Sequence, residues 1–319
     1  MTGRVRRWLA WLSVVALIVA ALAGCTGAGT TAPAVEPTPG ANPAEATPQE
    51  PATEEPATPE ATPEPTPEPT TAESTPPPVQ GTVRIAYLHH STGENIWNGG
   101  VPDFIAVYNA AQGTDYRITE LAYPDTSGGY PWENYPYDYW NLWVNHTGTS
   151  QDRGELNLDQ LAAAYDVIVF KHCFPVSDIG PDSDSDPPSV SSSDKTVANY
   201  TLQYQALKDR MQEFGQTRFI VWTGAAETEQ ATNPESAERA HTIFAWVRDT
   251  WDEPGDNIFV WDFRTLETGG GLYLKPSYAS APDDPHPDEA FSTSVAPLIG
   301  RRIVDVIEGR GDSGSVTGQ

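Results

Sequence analysis

From Thr82 onward the chain repeats one pattern, a short apolar run followed by an amphipathic stretch, and few folds can accommodate it. Apolar runs at 82–88, 116–122, 166–170, 218–222 and 257–261 read as strands. The stretches at 102–111, 156–165, 195–214, 235–251 and 289–307 read as helices, with Pro102 suited to a first helical turn. Asp166-Val167-Ile168-Val169-Phe170 is almost continuously apolar, as expected of a strand covered on both faces. Strict alternation of strand and crossover helix predicts an α/β fold, a doubly wound, flavodoxin-like parallel sheet of five strands with helices on both faces. In such a sheet the functional groups sit at the carboxyl ends of the strands. Two insertions, at 123–150 and 174–194, break the rhythm.

The first 80 residues cannot belong to that domain. Residues 26–80 hold 15 of the 30 prolines and nine glutamates, with no aromatic residue and no Lys or Arg. Such a segment cannot bury a core, and its prolines and like charges favour an extended spacer of up to ~3.1 Å per residue. Before it, Arg4, Arg6 and Arg7 precede an apolar run from Trp8 to Leu22 and then Leu22-Ala23-Gly24-Cys25. This reads as an export signal whose end resembles the lipobox of bacterial lipoproteins, in which the cysteine thiol carries the lipid. The expected organisation is a signal peptide over 1–24, a disordered linker over 25–80 starting at the lipidated Cys25, a domain over 81–309 and a disordered tail over 310–319. The domain is then held at the extracytoplasmic face of the cell membrane.

The domain carries 34 acidic against 14 basic residues, within a whole-chain charge of −26. Such a surface repels phosphate backbones and anionic lipid headgroups and disfavours a nucleic-acid binder or a polybasic membrane module. With Cys25 at the anchor and Cys173 alone in the domain, a disulfide framework and a Cys-rich zinc site are both excluded.

Two short segments carry candidate chemistry. The first strand runs into His89-His90-Ser91-Thr92-Gly93, which puts a serine where this architecture places a nucleophile. Just before the last helix, Asp283-Asp284-Pro285-His286-Pro287 sets a carboxylate three residues ahead of a histidine. A carboxylate that accepts the Nδ1 proton leaves Nε2 free to take a proton from serine.

Serine first and Asp-x-x-His last on this strand order resembles the SGNH/GDSL hydrolase superfamily, over essentially all of 82–308. The resemblance implies Ser91 as nucleophile, His286 as general base and Asp283 as the group orienting the imidazole. This chain departs from the family pattern at three places. The first block is His-His-Ser where the family has Gly-Asp-Ser. No glycine follows Phe170, where the chain reads Lys171-His172-Cys173, and Gly224-Ala225-Ala226-Glu227 keeps the glycine of the third block without its asparagine. The oxyanion donors are therefore expected from the backbone of Ser91 and from His90, His172 or Gly224 at the cleft.

The function expected is a lipid-anchored, monomeric ester hydrolase that needs no cofactor and removes an acyl group, acetyl among them, from a glycan or small ester. A catalytically silent glycan- or peptide-binding lipoprotein and an acyltransferase are the alternatives. Seven aromatics in the 14 positions 130–143 fit either a sugar-stacking cleft or a lid packed down by its own rings. Replacing Cys25 with alanine is expected to shift the protein from the membrane fraction to an unprocessed precursor or a lipid-free soluble form. Fractionation with intact-mass measurement of the mature N-terminus reads this directly.

Overall fold

The computed structural model describes residues 77–319 other than Trp132, so the expected signal peptide, Cys25 and most of the linker lie outside the described residues. In chain order the elements are β1 (Thr82–His89), α1 (Thr92–Asn98), α2 (Val101–Gln112), β2 (Asp115–Ala122), α3 (Pro136–Trp140) and α4 (Leu158–Ala164). There follow β3 (Val167–Phe170), α5 (Val197–Gln212), β4 (Arg218–Trp222), α6 (Pro234–Trp246), β5 (Ile258–Trp261) and α7 (Phe263–Thr268). A short antiparallel hairpin, β6 (Ala279–Ala281) and β7 (Asp284–Pro287), precedes α8 (Glu289–Ile307). The main sheet is parallel in the order β2-β1-β3-β4-β5, the doubly wound arrangement expected from the alternation.

The side-chain period of two splits each strand between two cores. Ala86, Leu88, Ile168, Phe170, Phe219, Val221 and Val260 pack under α4, α5 and α6. Val83, Ile85, Tyr87, Val169, Ile220, Trp222 and Trp261 face α1, α2 and α8 on the other side. The helices begin where polar side chains can cap them. Thr196 accepts from the Asn199 amide, Asn233 from Ser236 and Asp288 from Phe291, each satisfying an amide with no partner inside its helix. Of the aromatics in the first insertion, Tyr130, Tyr135, Tyr139 and Trp143 are buried in the α4–α6 layer, while Tyr137 and Trp140 are half-buried.

Both ends of the domain differ from expectation. The last residues of the expected linker are fastened down, since Val79 N–H donates to Ile307 O at 2.9 Å and the Arg218 guanidinium reaches Pro77 O. The 310–319 stretch, expected to be disordered, lies against the domain. Val316 O accepts from Asp262 N–H (2.8 Å), Thr317 O from Trp261 Nε1 (3.0 Å) and Gly311 O from the buried Arg302 guanidinium (2.5 Å). These bonds use backbone carbonyls, which every sequence possesses, so no residue pattern announced them.

Ending the chain at Gly309 would strip three buried donors of their acceptors, at ~1–3 kcal/mol each. A fall in melting temperature of at least ~5 °C is expected by calorimetry. An unchanged value would restore the disordered-tail reading.

Candidate active site

β1 delivers Ser91 to the carboxyl end of the sheet, and the chain there turns sharply into α1. Ser91 has φ 49° and ψ −106°, a left-handed conformation that costs a non-glycine residue ~1–3 kcal/mol and is found where the surroundings impose it. The floor of the turn supplies the constraint. A Cβ on Gly93 would stand 2.4 Å from His89 Cβ and 2.8 Å from Lys171 Cε, so only glycine closes the loop over the buried lysine.

Ser91 Oγ is hydrogen-bonded to His286 Nε2, 195 residues further along the chain. His286 Nδ1–H donates to Asp284 Oδ1 at 2.5 Å, and the same oxygen accepts the His286 backbone N–H at 3.0 Å. With the proton on Nδ1, Nε2 is the acceptor facing the serine hydroxyl. The backbone N–H of His286, then its side chain, holds the Asp284 carboxyl below its ordinary range, so it is ionised at neutral pH. Asn95 Nδ2 donates to Pro287 O at 2.9 Å and ties the histidine strand to the serine helix. The Phe174 ring stands edge-on to the imidazole at 5.1 Å.

The carboxylate beside His286 is thus Asp284, where the sequence pattern pointed to Asp283. The hairpin explains the difference. On an extended strand, residues two apart share a face and residues three apart do not, so β7 aligns Asp284 with His286 and leaves Asp283 exposed to solvent.

The two histidines expected as oxyanion donors are placed elsewhere. His172 continues the face of Phe170 and is buried among Tyr139, Phe170 and Tyr204, inside the core rather than at a cleft. That burial, with Lys171 nearby, pushes its pKa down to about 3. His90 Nε2 donates to Pro124 O, and burial lowers its pKa. A neutral ring whose proton is on Nε2 has none on Nδ1 to give an oxyanion. Gly224 is required by packing, since a Cβ there would meet the Phe244 ring at 2.1 Å. Two amides of these loops are committed, Cys173 N–H to Asn134 O (3.1 Å) and Ala226 N–H to Glu267 Oε1 (2.5 Å).

A buried ionic layer carries this end of the sheet. Arg264 on α7 donates to Ser177 Oγ (3.0 Å), Gly224 O (3.3 Å) and Leu272 O (3.1 Å), and Lys171 Nζ donates to Cys173 Sγ (2.9 Å). Burial, only partly offset by the Ala226 amide and by Arg264 and Lys171, raises the Glu267 carboxyl to about 8. Asp284, Asn95 and Phe174 were not singled out by sequence. For Asp284 a signal existed in the Asp-Pro-His spacing, readable once that segment is known to be extended.

No family model matches the chain, and no curated protein resembles it in sequence. Among solved structures, a gut microbial diltiazem-metabolizing enzyme is similar over 76% of this chain and 50% of its own, at 13% identity and a TM-score of 0.43. The chain therefore spans about half the length of that enzyme.

Glu267 generates a stability prediction. Its folded pKa of about 8 lies above the ordinary 4.5, so between those values the unfolded chain gives up a proton that the folded one keeps. Folding stability falls with rising pH across that window. Glu267→Gln, which keeps an acceptor for the Ala226 amide, is expected to flatten the decline in melting temperature between pH 5 and pH 8 by several degrees. Parallel melting curves for both proteins that stay superimposable would contradict a neutral Glu267.

Proposed function

We propose that the chain is a serine ester hydrolase of the SGNH/GDSL type, tethered through Cys25 at the extracytoplasmic face and acting on an acyl ester, acetyl among them, carried by a glycan. The observation that carries this reading is the unbroken hydrogen-bond chain from Ser91 Oγ through His286 to Asp284. His286 Nε2 takes the serine proton as Oγ attacks the acyl carbon, and Asp284 stabilises the imidazolium that forms. The ester C–O bond then breaks, Nε2 gives its proton to the departing alcohol, and the acyl group stays on Ser91. Water attacks next, its proton passing to Nε2 and then back to Oγ as the carboxylic acid leaves. These steps use side chains and water alone.

A binding protein with the same fold is the second reading, favoured by the commitment of the Cys173 and Ala226 amides to internal partners. One experiment separates the two. A fluorophosphonate is expected to label Ser91, and labelling is lost in Ser91→Ala and His286→Ala. Asp284→Asn is expected to lower kcat on p-nitrophenyl acetate by ~10²–10⁴, as loss of the correct imidazole tautomer does, while Asp283→Asn costs less than about threefold. Well-folded wild type that neither labels nor turns over ester would establish the binding reading.

A further inference from the structure

The carbonyl just before the nucleophile is held by two donors. His90 O accepts the Gly93 N–H at 2.9 Å and the Cys173 thiol at 3.5 Å, which uses both of its lone pairs. Cys173 Sγ in turn accepts from Lys171 Nζ at 2.9 Å. Lys171 and Cys173 are each 1% exposed, and Gly93 closes the Ser91 turn over the lysine stem.

Packing alone gives no reason for a lysine at this place. Cys173 Sγ is its one hydrogen-bond acceptor among the described residues, and burial lowers its pKa. The nearby Glu267 carboxyl is raised to about 8, so at neutral pH it is largely protonated and brings little compensating charge. A methionine would fill much of the same space without the desolvation cost, and apolar replacement of buried ionic groups is often neutral or stabilising.

The lysine does have something to act on. His90 O and the Ser91 N–H belong to one peptide group, and hydrogen bonds accepted by its carbonyl strengthen its N–H as a donor. That N–H has no hydrogen-bond partner among the described residues, and it is the oxyanion donor that the nucleophile itself supplies. The donors therefore run in series, from Lys171 Nζ to Cys173 Sγ to His90 O and across the peptide to the Ser91 N–H. We propose that Lys171 and Cys173 are positioning residues for acyl transfer, which polarise the His90–Ser91 peptide so that its N–H binds the oxyanion more tightly in the transition state. The inference rests on the serine-esterase reading and adds to it how a chain without the second-block glycine and third-block asparagine strengthens a donor it retains.

Strengthening by ~10–30% per bond, applied to a donor worth ~10²–10³ in rate, corresponds to about a twofold to eightfold change. Cys173→Ala, Lys171→Met and the double variant are compared with wild type on p-nitrophenyl acetate. Each single variant is expected to lose at least about twofold in kcat with little change in KM, the signature of an interaction made mainly in the transition state. Because the lysine acts through the thiol, the double variant is expected to match Cys173→Ala within about 1.5-fold. Lys171→Met is expected to melt no lower than wild type.

Ester turnover in wild type with a smaller loss of kcat in either single variant overturns the relay and leaves the esterase standing. A double variant slower than that limit means that Lys171 acts by another route and also overturns the relay. Loss of turnover in Lys171→Met with a melting temperature lowered by about 5 °C or more makes the lysine structural and overturns it as well. Wild type that neither labels with fluorophosphonate nor turns over ester overturns the esterase reading and this inference with it.

Discussion

A parallel sheet covered on both faces has no place for an unpaired polar group along its strands, and the arrangement of this domain follows from that constraint. Val167–Phe170, Phe219–Trp222 and Ile258–Trp261 are buried on both sides, so reactive side chains can be presented only where strands end. The carboxyl ends of β1, β3 and β4 therefore carry Ser91, Lys171 and the 223–227 loop. A serine near one end of the domain and a histidine near the other can meet because α1, α2 and α8 cover the same face of the sheet. The hairpin that bears His286 needs only one further fastening to reach Ser91, and Asn95 provides it.

The strain at Ser91 is held by the same arrangement. The residue is pinned between β1, paired on both sides within the sheet, and α1, whose Ile96 is buried in the core beneath α8. Gly93 closes over Lys171, and Lys171 is tied to Cys173, whose thiol reaches back to His90 O at 3.5 Å. A few kcal/mol of backbone strain can persist in such a setting because relaxing it would disturb buried groups on both sides.

The parts of this structure set by side-chain periodicity were readable from the residues alone. β4 and α8 occupy the expected ranges 218–222 and 289–307, because a continuous apolar strand and a long amphipathic helix each carry a strong repeat. Alternation also contained the correct place of His172, since a residue two beyond Phe170 continues its face into the core. Other parts carry no such repeat. α7 is one and a half turns long, β6 and β7 have three and four residues, and the terminal segment is held by main-chain carbonyls. The identity of the carboxylate beside His286 depended on one of these short strands, and a spacing of three was read where an extended chain demands two.

The placement of the expected oxyanion donors bears on how such a site would work. His172 is in the core and His90 has the wrong tautomer, which leaves the backbone N–H groups of Ser91 and Gly224 as the donors that remain of those expected. Losing one oxyanion donor costs an acyl-transfer enzyme ~10²–10³ in rate. A site short of donors must lower its barrier by other means, and holding the reacting groups in register is the means this architecture offers. Interactions with a part of the substrate remote from the reacting carbonyl can supply that positioning, provided they tighten as the transition state is reached.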